Sequence, residues 1–255
     1  MNPKVSKFFR SIQVYFPALQ DYRFSFERTM RRILNKTHEK DFEALHLLPK
    51  SENKLFLDIG ANRGAATQSI LMRVPDAKVI AFEPNPFLTE KLLKLYSADN
   101  RVTVQTCGLG SETDTIKLFI PFYNNYMFDG LASFKEENAR DWLENRLYGF
   151  RKEKLEVKGV ISPVKPLDDF NVRPYFIKMD VQGFEYEVLL GAKKTLTESK
   201  PIILIETPDD NVIEFLSSLH YKFCIFREGQ LVEGKDSANV FFIPNEMDLK
   251  IGKIS

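Results

Sequence analysis

Four short apolar segments each carry an acidic residue at or just before their end: Asp58, Glu83, Asp180 and Glu206. Short apolar segments bounded by turn residues are typical of buried parallel strands. In an open parallel sheet, ligands bind outside the carboxyl ends of the strands. A purely structural sheet has no need of carboxylates at that edge, so these four residues predict a ligand site there.

The first of these segments runs into a glycine turn, in the sequence LFLDIGANRGAATQ at 55–68. The dinucleotide-binding fingerprint is G-x-G-x-x-G, and its middle glycine lets the backbone approach a pyrophosphate. If Gly60 is the first glycine, Asn62 and Ala65 occupy the other two positions. A pyrophosphate is therefore poorly accommodated, and Asp58 would repel it. A carboxylate at that position suits a ligand that carries an amino group or a cation.

Glu83 ends the second predicted strand, 19 residues after Gly64. A carboxylate at this place can accept hydrogen bonds from both hydroxyls of a ribose. An adenosine ligand with a cationic, amino-acid-bearing tail satisfies both Glu83 and Asp58, and S-adenosylmethionine is such a ligand. Each residue alone also has an ordinary explanation, as a helix cap or part of a turn. Together, at this spacing, they favour S-adenosylmethionine.

Strand-like and helix-like segments alternate from residue 55 to residue 206. Strands are predicted at 55–59, 78–83, 101–106, 114–121, 175–180 and 201–206, and a closing antiparallel pair at 221–226 and 238–244. The segments between several of them have helical spacing, and Asn85 followed by Pro86 is a typical helix start. The alternation indicates an α/β fold with a doubly wound, mostly parallel sheet. Residues 1–50 predict an N-terminal helical extension, and 51–255 the cofactor-binding domain.

Composition excludes several classes of protein. The net charge is +1, so no global field favours nucleic acid or an anionic membrane. Cys107 and Cys224 form no disulfide or zinc pattern, and two buried thiols in a reducing cytoplasm are expected. No segment has the ~20 apolar residues of a transmembrane helix. The basic, aromatic N-terminus leaves two alternatives: an interfacial helix around Phe8, Phe9 and Ile12, or a helix packed on protein.

Four motifs in this order, FLDIGANRG, AFEPNP, IKMDVQGFEYEVLLGA and NVFFIP, resemble the FkbM family of S-adenosylmethionine-dependent methyltransferases. The resemblance extends over roughly residues 40–244. It implies a seven-stranded, Rossmann-like class I methyltransferase sheet and methyl transfer to a hydroxyl, commonly of a sugar or a polyketide. The residues 51–255 would then be the methyltransferase domain. The family usually has Glu where this chain has Gln182, so neither a base nor a strong metal ligand is assigned to that position.

The resemblance also implies the residues that hold the cofactor. Asp58, Gly60, Asn62 and Gly64 match the first motif, and Glu83 with Asn85 matches the ribose-binding segment. Gly108 and Leu109 match the segment that borders adenine, and Asp180 matches the acid beside the reacting methyl. Ser133, in the segment GLASF, is a further candidate. The cofactor residues predicted in this way are Asp58, Gly60, Asn62, Gly64, Glu83, Asn85, Gly108, Leu109, Ser133 and Asp180.

Methyl transfer to an alcohol needs a base for its proton or a divalent metal that lowers the pKa of the hydroxyl. Asp180 is the first candidate for the base, and Glu185 a second, although Glu185 also suits the start of a helix. Asp180 and Glu206, with Asp209 as a further ligand, could instead hold Mg²⁺. His38 and His46 precede the domain and are further candidates for the base.

The acceptor is expected to be a small molecule or a glycan. Its pocket is predicted from the N-terminal helices and residues 122–150, whose aromatic side chains either stack on sugar rings or pack in a core. A nicotinamide-dependent oxidoreductase and a non-catalytic adenosine-binding module are the alternatives to a methyltransferase. Nucleic acid is not expected as a partner, and a homo-oligomer is left open.

Overall fold

The computed structural model describes residues 3–51, 53–134 and 136–252. Its α-helices are α1 (Pro3–Gln13), α2 (Gln20–Ile33), α3 (Ala65–Arg73), α4 (Pro86–Tyr96), α5 (Glu136–Asp141), α6 (Glu185–Leu190), α7 (Lys193–Ser199) and α8 (Asp210–Ser218). Its strands are β1 (Leu55–Ile59), β2 (Lys78–Phe82), β3 (Val102–Gln105), β4 (Gly108–Leu109), β5 (Asp114–Tyr123), β6 (Tyr126–Met127), β7 (Leu155–Lys165), β8 (Phe176–Met179), β9 (Ile202–Glu206), β10 (Tyr221–Arg227), β11 (Gln230–Glu233) and β12 (Asn239–Pro244). A 3-10 helix spans Lys40–Leu47.

The main sheet has the strand order β11-β10-β12-β9-β8-β1-β2-β3. Strands β3, β2, β1, β8 and β9 pair in parallel, and β12, β10 and β11 add to β9 in antiparallel pairs. The order reverses at β1 and β8, since β2 follows β1 on one side and β9 follows β8 on the other. This confirms the predicted doubly wound fold and the closing antiparallel pair.

One feature of the sheet differs from the expected seven strands. The described chain adds β11 beside β10 as an eighth strand, through a hairpin whose turn contains Glu228 and Gly229 in left-handed backbone conformations. The segment that forms β11 was not predicted as a strand, because it has only two apolar residues, Leu231 and Val232. Both are buried against the sheet.

The strand register brings the carboxyl ends of the central strands to one edge. Ile59 of β1 is the partner of Phe82 in β2 and of Met179 in β8, and Met179 is the partner of Ile205 in β9. Therefore the residues that follow these partners, Gly60, Glu83, Asp180 and Glu206, lie at the same edge of the sheet. The prediction that four acidic residues meet at this edge is confirmed for Glu83, Asp180 and Glu206, whereas the fourth, Asp58, lies inside β1.

The chain divides into two compact units, and their boundaries are not at residue 50. The first contains Met1–Met30 and Thr115–Ser162, and the second contains Arg31–Asp114 and Pro163–Ser255. The first unit has its own core, made by Val14, Tyr123, Tyr126, Phe128, Leu143 and Leu147. The two larger apolar clusters of the second unit include alternate residues of the same strands, such as Leu57 and Phe56. The main sheet therefore lies between two apolar layers.

The segment before β1 belongs to the second unit and is held to α3 by polar contacts. Arg73, near the end of α3, donates to both carboxylate oxygens of Glu43 and to the side chain and backbone oxygens of Asn35. Phe42 and Leu45 of the 3-10 helix are buried in one of the two clusters. Within the described part of the chain, no helix combines the length and apolar character that crossing a bilayer requires.

The turn after β1 requires glycine at position 60. Gly60 has a φ of +81°, and a Cβ added there would lie 1.9 Å from the backbone oxygen of Asp180. We expect Gly60→Ala to lower the free energy of unfolding by about 2–4 kcal/mol, from backbone strain and the clash. Urea unfolding followed by circular dichroism measures this change.

Gly130→Ala is the matched control. A Cβ at Gly130 meets no atom of the described chain within 4 Å. The control should keep the stability of the parent protein to within about 1 kcal/mol. Equal stability of the Gly60→Ala and Gly130→Ala variants would contradict the close approach of the turn to β8.

Candidate active site

Glu83 is held by the backbone on both sides of it. Its Oε2 accepts a hydrogen bond of 2.6 Å from the backbone N–H of Asn62, in the turn after β1. Its Oε1 accepts one of 2.9 Å from the N–H of Asn85. Asn62 can present its N–H because its backbone is left-handed, with a φ of 49°. The carboxylate is only 5% exposed, so it has one fixed orientation.

Asn85 begins α4, as predicted, and its side-chain oxygen accepts from the N–H of Phe87. Its Nδ2 is buried and has no hydrogen-bond partner among the described residues. Gly108 lies beside the segment that links Glu83 and Asn85, since a Cβ at Gly108 would be 3.4 Å from Pro84. The segment after β2 thus meets β4 beside Glu83. An unpaired buried donor beside a fixed carboxylate is consistent with a polar ligand that completes the site.

Asp58 lies inside β1 and not at the rim. Its side chain is 1% exposed, and Oδ2 accepts from both the N–H (2.9 Å) and the hydroxyl (2.5 Å) of Thr67 in α3. Burial raises the pKa of Asp58 to about 6, although the hydrogen bonds from Thr67 oppose the shift. Asp58 therefore ties β1 to α3. Its contact with a cofactor stays a prediction.

Both glycines of the turn are accounted for by protein atoms. Gly60 faces the Asp180 backbone, and a Cβ at Gly64 would lie 2.8 Å from the hydroxyl of Tyr96, which donates to the Gly64 carbonyl. From the sequence, both glycines are predicted to belong to the cofactor site. The structure shows a second reason for glycine at these positions, because the turn packs closely against the end of β8 and against α4.

Asp180 and Glu206 form a pair at the carboxyl ends of β8 and β9. Their side chains share a hydrogen bond, and burial together with this bond raises the pKa of Glu206 to about 7. Gln182 donates through Nε2 to Oδ1 of Asp180 at 2.7 Å. An ionised Glu at position 182 could not donate this bond. The departure from the family pattern therefore gives Asp180 a fixed orientation without a further negative charge.

Lys178 is a buried cation next to these carboxylates. Its side chain is 3% exposed within β8, where it is the register partner of Asp58. Its charge stabilises the ionised forms of Asp58, Asp41 and Glu206, and so opposes the increase in their pKa that burial causes. A buried lysine almost always needs such partners. Lys178 is not among the residues predicted from the sequence. A single charged residue in the apolar strand YFIKM could have indicated it.

The segment before β1 adds polar groups to the same edge. The backbone N–H of His38 donates to Ser69 Oγ at 2.8 Å, and the His38 ring interacts electrostatically with Lys178 and Asp180. Burial, aided by nearby Lys178 and Arg31, lowers the pKa of His38, which keeps the ring neutral at pH 7. Asn239, the partner of Glu206 in the sheet, also belongs to this edge.

Asn239 links two further carboxylates to β12. Its Nδ2 donates to Glu39 at 3.1 Å and to Asp41 at 3.2 Å. Burial raises the pKa of Asp41, and the hydrogen bond from Asn239 opposes that shift. These three residues are not predicted from the sequence, because no sequence pattern indicates that positions 39–41 contact position 239 in the folded protein.

Glu185 occupies the first position of α6 and is buried. Its Oε1 accepts from the backbone N–H groups of Val181 and Gly183, each at 3.2 Å. These contacts hold the turn that carries Gln182. They favour the structural interpretation of Glu185 over a catalytic one, and a catalytic role stays a prediction.

The residues at this edge do not form a metal site. Throughout residues 3–51, 53–134 and 136–252, no group of three or more His, Cys, Asp or Glu side chains is placed to hold a metal ion. Asp180 and Glu206 share a hydrogen bond instead. Asp209 caps α8 by accepting a hydrogen bond from the backbone N–H of Val212. The predicted Mg²⁺ site at Asp180 and Glu206 is therefore not supported.

Several other predicted residues have structural surroundings of their own. Ser133 belongs to the first unit, where it is buried and pairs with Phe119, and its role towards a cofactor stays a prediction. Tyr123, Tyr126 and Phe128 are buried in the core of that unit, which favours packing over sugar stacking. His46 lines a cavity at the amino ends of β1 and β8, so it does not belong to the carboxyl edge.

Glu206 makes the stability of the protein depend on pH. Because its pKa is raised to about 7, the folded state binds this proton more tightly than the unfolded state. Stability is then highest below the ordinary pKa of a glutamate, about 4.3, and falls as the pH rises through 7. Asp58 has the same sign, with a pKa of about 6. Comparison with Glu206→Gln isolates the contribution of Glu206.

We expect the variant to gain stability relative to the parent protein as the pH rises from about 5 to 8, since Gln cannot ionise. Urea unfolding at several pH values measures the difference, and Glu112→Gln, at an exposed carboxylate, is the control. If the difference between Glu206→Gln and the parent is constant with pH, the raised pKa is contradicted.

Comparison with known proteins agrees with the fold and the motifs. "Methyltransferase sdnD" of Sordaria araneosa is 26% identical over an alignment of 175 residues. The alignment covers 61% of this chain and 66% of that protein. "Methyltransferase 1" of Beauveria bassiana is 28% identical over 152 residues, 56% of this chain and 60% of that protein. The chain thus spans somewhat less than two thirds of the length of each of these relatives.

A crystal structure of methyltransferase FkbM from Methylobacillus flagellatus KT has the same fold. It superposes with a TM-score of 0.51 and 20% identity, over 80% of this chain and 48% of that chain. The sequence model of the methyltransferase FkbM domain family matches residues 58–223, well over half of the chain. The match begins at Asp58 and includes Glu83, Asp180 and Glu206. The chain therefore belongs to the FkbM methyltransferase domain family.

Proposed function

We propose that the protein is an S-adenosylmethionine-dependent O-methyltransferase that acts on a hydroxyl of a sugar, a glycan or a secondary metabolite. The observation that carries the proposal is the fixed carboxylate of Glu83, held by Asn62 and Asn85 at the carboxyl end of β2. Family membership supports methyl transfer as the reaction class.

The residues around Glu83 fit an adenosine ligand. Backbone N–H groups of Asn62 and Asn85 orient the Glu83 carboxylate at the carboxyl end of β2, the place from which a carboxylate would accept the two ribose hydroxyls. Gly108 and Leu109 would border the adenine, and Asp58, Gly60, Asn62 and Gly64 would face the methionine part. When bound, the cofactor supplies a methyl group that is already activated for displacement. The main task of the protein is then to orient an acceptor oxygen ~3 Å from it.

Asp180 is the proposed general base. Gln182 orients one of its oxygens, and Glu206 carries the proton of the carboxylate pair at pH values below about 7. An acceptor hydroxyl that donates to Asp180 would transfer its proton there as the new bond forms. His38, neutral at pH 7 and close to Asp180, is the second candidate for this role.

The alternative functions have less support. A nicotinamide cofactor needs a pyrophosphate site, and Asn62, whose N–H is committed to Glu83, occupies the position of the fingerprint's middle glycine. A non-catalytic module would not need an oriented, proton-sharing pair of carboxylates at the strand ends. No step is assigned to Mg²⁺.

The role of Glu83 can be tested by cofactor binding. We expect Glu83→Gln to weaken S-adenosylmethionine binding roughly 10- to 100-fold, because an amide nitrogen cannot accept a ribose hydroxyl and a charged hydrogen bond is lost. Isothermal titration calorimetry measures the dissociation constant. Glu90→Gln, on the exposed side of α4, should bind as the parent does. Unchanged affinity in Glu83→Gln would remove Glu83 as the ribose acceptor.

The role of Asp180 can be tested by turnover. Hydroxylated sugars and metabolites are first screened for the release of S-adenosylhomocysteine, which identifies an acceptor. Asp180→Asn should then lower kcat by about 10²–10⁴-fold, since the amide cannot take the proton. The Kd for S-adenosylmethionine should change far less. An Asp180→Asn variant with full activity, next to an inactive His38→Gln variant, would assign the base to His38.

A further inference from the structure

The first unit has an apolar surface that no described residue covers. Along α1, the side chains Phe8, Phe9 and Ile12 lie on one side of the helix at the spacing of successive turns. They are 53%, 58% and 41% exposed. The surface continues along the chain through five further exposed side chains: Tyr15, Phe16, Leu19, Tyr22 and Phe26. We refer to these eight residues as the N-terminal aromatic face.

The helix α1 is oriented with its polar side towards the protein. Lys7 donates to the carbonyl oxygen of Asn145 and lies over the ring of Tyr148. Arg10 donates to the carbonyl of Arg146 and lies over the ring of Trp142.

On the same side of α1, Ser11 Oγ accepts from the N–H of Tyr148, and Val14 is buried in the core of the unit. An amphipathic helix normally buries its apolar side. Here the basic and polar side makes the internal contacts, so the apolar side is presented outwards. Several large apolar side chains exposed along one side of a helix are typical of an interaction site.

The charge of the N-terminal residues indicates which kind of partner binds the N-terminal aromatic face. Residues 1–30, which belong to the first unit, contain five basic and two acidic side chains, whereas the whole chain has 36 and 35. The remainder of the chain is therefore net acidic, and the small net charge of the protein hides a basic N-terminal segment. A basic segment is attracted to the anionic surface of a bilayer.

A second copy of the chain fits this surface less well. Two copies related by a two-fold axis would bring the same basic segment against itself. Like charges across an interface oppose association. The composition also favours a bilayer, because phenylalanine and tyrosine partition into the boundary between headgroups and acyl chains.

We propose that the N-terminal aromatic face is a docking surface for an anionic lipid bilayer. The aromatic side chains enter the interfacial layer with α1 parallel to the membrane, and the net positive charge of residues 1–30 attracts the anionic bilayer over a longer distance. The protein then acts at a membrane surface without crossing it. This inference does not depend on the proposed methyl transfer, because lipid binding is measured without cofactor or acceptor.

The test is sedimentation of the full chain with vesicles of phosphatidylcholine, with and without phosphatidylserine. We expect the protein to bind the phosphatidylserine vesicles, and more weakly at high salt or without the anionic lipid. The double variant Phe8→Ser/Phe9→Ser should lower the partition coefficient by about tenfold or more. Ile161→Ser is the matched control, since Ile161 is 67% exposed in the same unit but outside the face.

Circular dichroism and thermal unfolding verify that both variants fold, which is expected because the substituted side chains are exposed. Phe26→Ser, on α2, provides a second, independent probe of the face. The proposal is overturned if the parent protein does not bind, if the variants bind as it does, or if anionic lipid has no effect. It is also overturned if the parent is a dimer in light scattering and Phe8→Ser/Phe9→Ser is a monomer.

Discussion

The structure of the site depends on the contact between the turn after β1 and the ends of the two neighbouring strands. On one side, the carboxylate of Glu83 accepts the N–H of Asn62, which joins the turn to β2. On the other, Gly60 lies so close to the Asp180 backbone that no side chain fits between them. The turn therefore fixes the distance between the end of β2 and the end of β8. Glu83, the proposed ribose acceptor, and Asp180, the proposed base, are thus positioned by the same few backbone atoms.

The second constraint is electrostatic. Several carboxylates gather at the carboxyl edge of the sheet, and an uncompensated cluster of buried charges would destabilise the fold. Lys178 compensates part of this charge from within β8, and Glu206 takes up a proton as its pKa rises to about 7. Asn239 and Gln182 supply neutral donors to the carboxylates beside them. Groups whose protonation changes near neutral pH are common at functional sites.

Much of this arrangement follows from the sequence. Apolar segments that end in acids predicted parallel strands, and the register confirmed that Glu83, Asp180 and Glu206 share one edge. The helix start at Asn85 followed from its residue type. These features are local, so the order of residues is enough to find them.

The rest depends on distant parts of the chain. Asn239 and Asp41 meet only in the folded protein, and the pairing of Asp58 with Thr67 across β1 and α3 gives it a structural role that the rim pattern did not suggest. The orientation of α1, with its basic side inwards, is equally invisible in its amphipathic spacing, which is the same for either orientation. The predicted Mg²⁺ site is not supported for a similar reason. The sequence does not show that the side chains of Asp180 and Glu206 are hydrogen-bonded to each other.

The central claim is that the turn between β1 and α3 binds an adenosine cofactor without a pyrophosphate. Calorimetric titration of the unmodified protein with S-adenosylhomocysteine and, separately, with NAD tests it most directly. Both ligands carry an adenosine ribose, but only NAD needs room for a pyrophosphate over Asn62. The account predicts saturable binding of S-adenosylhomocysteine and none of NAD. Tight NAD binding with no heat from S-adenosylhomocysteine would contradict it.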